Sequence, residues 1–231
     1  LVDSRTIADI VKPGESVAIA LEGTLPPQLA AESAASVVDL LSSAGASLGD
    51  MEVIIGNGYR EKSDSKLLEA LQGTLSQRGV RVREHTRSSQ NLINVGTTSS
   101  KTAVDIDKQF VGAGARIVIG EVLLDPLTGF RGPQSTLLPG LSGMRTIEMN
   151  RSHAFEENVT PGVAEGNPVL TDALEAAHLA NVDLSVNLVT DPRGRLLKAV
   201  SGSLEASWRE AVSALGDSYR VEGEANPDIV V

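Results

Sequence analysis

Residues Arg116 to Asn150 read RIVIGEVLLDPLTGFRGPQSTLLPGLSGMRTIEMN, and the architecture is most legible there. Ile117 to Leu124 is a nearly unbroken run of Ile, Val and Leu. A strand buried on both faces of a parallel sheet has this pattern, because neither face needs polar residues. The character then changes abruptly. Pro126, Gly129, Gly132, Pro133, Pro139, Gly140 and Gly143 follow, interleaved with Asp125, Thr128, Arg131, Gln134 and Ser135. This predicts a long loop at the carboxyl end of a central strand, where open α/β sheets bind their ligands. Its glycines would let a ligand approach the backbone. The competing reading is a rigid surface connection.

Outward from this stretch, short apolar strands alternate with amphipathic helices. SVAIAL (16–21) and MEVII (51–55) read as strands, with polar exits at Glu22-Gly23-Thr24-Leu25-Pro26 and Gly56-Asn57-Gly58-Tyr59-Arg60-Glu61. Ala30, Ala34, Val37 and Leu41 recur at helical spacing between them. Ser63 or Asp64 can cap a helix with Leu67, Leu68, Leu71 and Leu75 on one face, and VRVRE (80–84) alternates as a half-exposed strand. Ser4 is the expected cap of a first helix through Val11. Residues 86–102 are polar and show no period, and 103–111 read as a strand. Beyond the loop come a short helix over 143–150 and a helix from Pro168 to Ala180 with Asn167 before it. A hairpin follows around Asp191-Pro192-Arg193-Gly194, then a helix over 204–215. The pattern predicts an α/β chain, mostly parallel, with helices on both faces and a C-terminal hairpin and helix. Residues 1–225 are expected to form one domain, and 226–231, opening a strand at Asp228, to begin a linker or a second domain.

The formal charge of −10 over 231 residues, with no run of Lys or Arg, argues against nucleic acid and anionic membrane as partners. There is no cysteine, which removes disulfides and thiolate metal sites. No apolar run reaches membrane-spanning length, so a cytoplasmic protein is the expectation.

Gly56-x-Gly58 lacks the third glycine of a dinucleotide loop, since Glu61 stands in its place. His85 is read as a solvated strand end, and Asp172, Glu175 and His178 as a solvated helix face. Acid–base candidates near strand exits are Glu22, Tyr59, Glu121 and Asp125. Arg60, Arg131, Arg145 and Arg151 are the cations able to hold a carboxylate, a task that suits the planar guanidinium.

The order of several motifs resembles the N-terminal domain of the nickel-pincer lactate racemase family. The carriers are Lys12-Pro13-Gly14-Glu15-Ser16-Val17-Ala18-Ile19, Thr24 with Pro26, Gly58-Tyr59-Arg60, Gly129-Phe130-x-Gly132, Leu138-Pro139-Gly140, Thr146-Ile147-x-x-Asn150, Gly166-Asn167-Pro168-Val169 and Asn187. The resemblance implies hydride chemistry at the α-carbon of a 2-hydroxy acid. In the family this uses a nickel-pincer nucleotide thioester-linked to a lysine, a nickel-binding histidine and two acid–base histidines. At the matching positions this chain has Ser135 for the lysine, Arg151 for the nickel histidine, and Asp125 and Tyr59 for the acid–base pair. Leu25 replaces a ligand-holding arginine, while Thr24 and Arg60 persist. A serine lacks the amine for the covalent link, and a guanidinium cannot coordinate nickel.

The resulting expectation is a Rossmann-like domain without cofactor or metal. It would bind a small hydroxy-acid or sugar-acid anion through Glu22, Thr24, Arg60, Arg131, Ser135 and Arg151. Two alternatives stand beside it. One is an active isomerase or lyase using Asp125 or Glu22 as base and Tyr59 as acid. The other is an interaction module whose 125–135 loop packs in a homo-oligomer.

Overall fold

The computed structural model describes residues 1–219; the strand expected from Asp228 and the domain boundary at 226 lie outside them. Six strands form the main sheet, in the order β10-β9-β6-β1-β2-β3. They are β1 (Val17–Glu22), β2 (Met51–Gly56), β3 (Arg81–Glu84), β6 (Ala115–Val122), β9 (Leu184–Thr190) and β10 (Leu196–Gly202). Five run parallel, and β10 turns back antiparallel on β9 through the hairpin at Asp191. The central pair aligns Val17 with Ala115 and Leu21 with Ile119.

Every residue of β1 is buried, as both-sided coverage demands. Alternation along it feeds two cores. Val17, Ile19 and Leu21 pack beneath α2 (Pro27–Ser43) and α3 (Ser65–Leu75). Ala18 and Ala20 face the opposite layer. That layer holds α4 (Lys108–Val111), α5 (Pro133–Leu137), α6 (Met144–Arg151) and α7 (Pro168–Leu179). Trp208 of α8 (Leu204–Tyr219) anchors a third cluster over β9 and β10. No helix among the described residues is long and apolar enough to cross a membrane.

The structure departs from the sequence expectations at four places. The first helix, α1 (Ile7–Ile10), is capped by Thr6 in a capping box with Asp9, and Ser4 lies outside it. Within 86–102 lies β4 (Leu92–Thr97), which pairs antiparallel with β5 (Ala103–Asp107) in a separate small sheet. Its pairing shifts register between Asn94 and Gly96, and its side chains are largely exposed, so no clean two-residue period is visible. The strand read over 103–111 ends at Asp107, whose carboxylate accepts from the Gln109 and Phe110 amides and starts α4. Finally, the glycine-rich loop is built rather than open. Asp125 folds it into a tight turn between β7 (Leu124–Asp125) and β8 (Gly129–Phe130), and Pro133 opens α5 at a position where a missing N–H costs nothing.

Candidate functional site

Strand order reverses between β1 and β6: the chain leaves β1 toward β2 and β3, then returns to build β6 and β9 on the other side. A crevice at the carboxyl ends of two such strands is where open α/β sheets bind ligands. Here β1 ends on Glu22 and β6 carries Glu121 one residue before its end. The β1–β6 ladder stops at Leu21 and Ile119, and the Glu22 carboxylate takes over by accepting from the Glu121 amide at 2.9 Å.

Arg131 lies between these two acids. Its guanidinium stands 3.4 Å from Glu22 Oε1 and 3.2 Å from Glu121 Oε2. Thr24 Oγ1 donates to Glu22 at 2.6 Å, and Thr190 Oγ1 donates to Glu121 at 2.5 Å. Burial pushes the Glu22 carboxyl above its ordinary range, and the nearby Glu121 charge adds to this; Arg131, Thr24 and the Glu121 amide oppose without reversing it. The Arg131 fork is therefore engaged by protein carboxylates.

A cavity of about 220 Å³ opens above this pair. Of the residues singled out from the sequence, Glu121 does not line it and these do: Glu22, Thr24, Tyr59, Arg60, Asp125, Arg131, Ser135 and Arg151. Arg151, at the end of α6, donates from Nε to the Tyr59 hydroxyl at 3.1 Å, and its guanidinium carbon lies 5.9 Å from the Tyr59 ring centroid. Arg151 Nη1 is buried with no hydrogen-bond partner among the described residues. The Arg60 side chain carries no hydrogen bond or ion pair among the described residues and is exposed at the rim. Asp125 is half committed: Oδ1 accepts from the Leu127 and Thr128 amides and from Thr128 Oγ1, and Oδ2 has no partner among the described residues.

Two glycines of the family-like motifs permit close backbone contacts, Gly140 in the cavity wall and Gly129 in the turn beside it. Gly129 has φ +73°, and a Cβ there would sit 2.0 Å from the Val163 carbonyl oxygen. A Cβ on Gly140 would sit 2.0 Å from the Thr136 carbonyl oxygen.

Other candidates from the sequence fall elsewhere. Arg145 is exposed and outside the cavity. Two expectations of solvation are overturned. His85 is only 3% exposed, with Nδ1 3.0 Å from Asp107 Oδ2, because β5 and α4 bring that carboxylate against the end of β3. Asp172 is wholly buried, accepting from Thr98, Thr102 and Asn150, because the turn after β4 and helix α6 cover that side of α7. Glu175 and His178 do remain at the surface, bound to Ser99 and Glu205. Asn57, absent from the expected site, is buried in the cavity wall with Oδ1 unpartnered. Its place between two glycines at a strand exit was the available signal.

Comparison with known proteins places this geometry in context. The lactate racemase N-terminal domain family matches residues 1–162. The lactate racemase of Thermoanaerobacterium thermosaccharolyticum is 26% identical over 187 residues, covering 79% of this chain and 43% of the relative. That of Lactiplantibacillus plantarum is 26% identical over 123 residues, covering 52% and 28%. Among solved structures, the T. thermosaccharolyticum lactate racemase apoprotein superposes with a TM-score of 0.82 at 21% identity, over 94% of this chain and 52% of that one. A Thermotoga maritima protein solved by a structural genomics consortium superposes with a TM-score of 0.71 at 14% identity, over 91% and 56%. The chain thus spans about half of these relatives or less. A match over residues 1–162, with the doubly wound sheet and its switch-point cavity, means that this chain belongs to the lactate racemase N-terminal domain family.

Proposed function

We propose that the switch-point cavity binds a small 2-hydroxy-carboxylate anion, and does so without a nickel-pincer nucleotide. The observation that carries the reading is the pair of guanidiniums at the cavity, Arg60 and Arg151, neither of which forms an ion pair with a carboxylate among the described residues. A bound carboxylate supplies the missing counter-charge, and the Arg fork suits its planar geometry. Hydroxyls of Thr24, Tyr59 and Ser135 line the same space and match the α-hydroxyl of the ligand. Arg131 acts at one remove, offsetting part of the negative charge of the Glu22–Glu121 pair beneath the ligand. In this reading Asp125 and Tyr59, which line the same space, exchange a proton with it.

The chemistry of the donor set supports the second half of the reading. No lysine and no histidine is among the described residues lining the cavity, so nothing there offers an amine for a thioamide or thioester link or an imidazole for nickel.

Calorimetric titration with L- and D-lactate tests the first half. Saturable binding is expected, weakened about tenfold or more by Arg60→Ala, because a charged hydrogen bond is lost. Absence of binding, or indifference to Arg60→Ala, overturns it. For the second half, the protein is produced beside the enzymes that build the pincer nucleotide and examined by metal analysis and intact mass. Stoichiometric nickel or a covalent adduct would overturn the reading.

A further inference from the structure

The Thr146-Ile147-x-x-Asn150 motif takes no direct part in the site described above. Thr146 and Ile147 are wholly buried, Asn150 is 1% exposed, and none of the three lines the cavity. Arg151, which does line it, is the next residue in the chain. The three motif side chains share one face of α6, being three and four residues apart. A helix of eight residues has little stability of its own, so its place and its rotation about its axis are set by what that face touches. Ile147 packs in the apolar layer, and apolar contact has no direction. The two polar members do. Thr146 Oγ1 donates to the Ala103 carbonyl at 2.8 Å and accepts from the Asp105 amide at 2.9 Å, which fixes the first turn against β5. Asn150 Nδ2 donates to the Val169 carbonyl at 3.0 Å and to Asp172 Oδ2 at 2.9 Å, which fixes the last turn against α7.

Asp172 is held in turn from a third side. Its Oδ1 accepts from Thr98 Oγ1 and its Oδ2 from Thr102 Oγ1 at 2.9 Å, while the Thr102 amide donates to Thr98 Oγ1 at 3.2 Å. The carboxylate is therefore tied to the turn between β4 and β5 as well as to its own helix. Rotating α6 by one residue, about 100°, would break both polar anchors and swing Arg151 away from the cavity. Leaving such buried groups unpaired is costly, so the helix keeps the setting in which Arg151 Nε reaches the Tyr59 hydroxyl at 3.1 Å.

We infer that Asp172, acting through Asn150, is the positioning residue for Arg151: the buried pair latches the end of α6 to α7 and so aims the guanidinium at the cavity. The inference rests on the reading that Arg151 holds a carboxylate there.

L-Lactate affinity and the Arg151 Nε–H resonance of the free protein are the two readouts. Asn150→Leu keeps the volume but removes both donors; it should weaken lactate binding about tenfold and move the Arg151 resonance to the position of a solvated arginine. Asp172→Asn is the conservative variant. Its Oδ1 can still accept from Asn150 while its amide donates to the two threonine hydroxyls, which accept as well as donate, so affinity should stay within about twofold. In an Arg151→Ala background, Asn150→Leu should change affinity by less than about twofold, because the residue it aims is gone. An Asn150→Leu protein that is less stable but keeps its affinity and its Arg151 resonance overturns the latch, as does an equal loss of affinity in the Arg151→Ala background. Should Asn150→Leu not fold, hydrogen exchange on the unmutated protein decides: Asn150 Nδ2–H and Arg151 Nε–H should be protected together, and a protected Asn150 amide beside a freely exchanging Arg151 Nε–H overturns the latch. If lactate does not bind the unmutated protein, the carboxylate reading fails by itself, and the Arg151 resonance still decides the latch.

Discussion

Asp107→Asn is the sharpest test of how the β3 edge is built. The wild-type carboxylate is 1% exposed and takes five hydrogen bonds, from Arg83 (two), His85, and the amides of Gln109 and Phe110. An asparagine of the same shape can accept on one side only, and its amide group then confronts the Arg83 guanidinium. Removing one partner of a buried ion pair costs about 3–5 kcal/mol. Arg83 keeps Glu52 at 3.0 Å and is 26% exposed, so the lower end, about 3 kcal/mol, applies. With a urea slope of about 3 kcal/mol/M, the unfolding midpoint at pH 7 should fall by about 1 M. The acid dependence has a definite sign. Burial pushes the Asp107 carboxyl up, but the His85 and Arg83 hydrogen bonds and the Arg83 charge outweigh it, and the folded value lies well below the ordinary one. Its contribution is therefore fully present above an unfolded value of about 3.9 and is lost as pH falls further. The gap between wild type and variant should be constant near neutrality and narrow below about pH 4. Glu52→Gln, touching the solvent side of the same arginine, should cost under about 1 kcal/mol. A midpoint within about 0.2 M of wild type for Asp107→Asn, or a gap that widens in acid, would refute the reasoning.

Three further outcomes are expected. The Glu22 carboxyl is raised in the folded protein, so its ionisation opposes folding; wild type should lose stability relative to Glu22→Gln as pH climbs from about 4 toward neutrality, and denaturant titrations across that range show the sign. Gly140→Ala should destabilise by about 1–3 kcal/mol or more, since its Cβ meets a backbone oxygen at 2.0 Å, whereas Gly49→Ala, with nothing within 4 Å, should be near neutral in a thermal melt. Trp208→Ala should cost about 3–5 kcal/mol by denaturation, because the indole is 1% exposed at the centre of the third cluster. Its Nε1 also donates to the Arg131 carbonyl at 3.4 Å, so lactate binding should weaken with it.

By itself, the sequence determined the layering and the location of the cleft. Apolar runs such as IVIG and MEVII, helical spacing over 28–43, the Asn167–Pro168 helix start and the Asp191 hairpin are local signals, set by backbone periods and turn chemistry within a few residues. Strand exits follow from strands, so Glu22, Tyr59, Arg60 and Asp125 among the lining residues could be named before any contact was known, whereas Ser135 was named through the family resemblance. Tertiary structure alone decided which of them are engaged and which face open space. The Arg131 bridge to Glu22 and Glu121 was invisible because it depends on β1 and β6 lying side by side, 99 residues apart at the Glu121–Glu22 bond. His85 and Asp172 were misjudged for the same reason: their partners Asp107 and Thr98 lie 22 and 74 residues away, and a polar side chain bears no local mark of being buried. Whether such a group is solvated or sealed depends on what long-range packing lays over it, and that free energy belongs to the assembled chain.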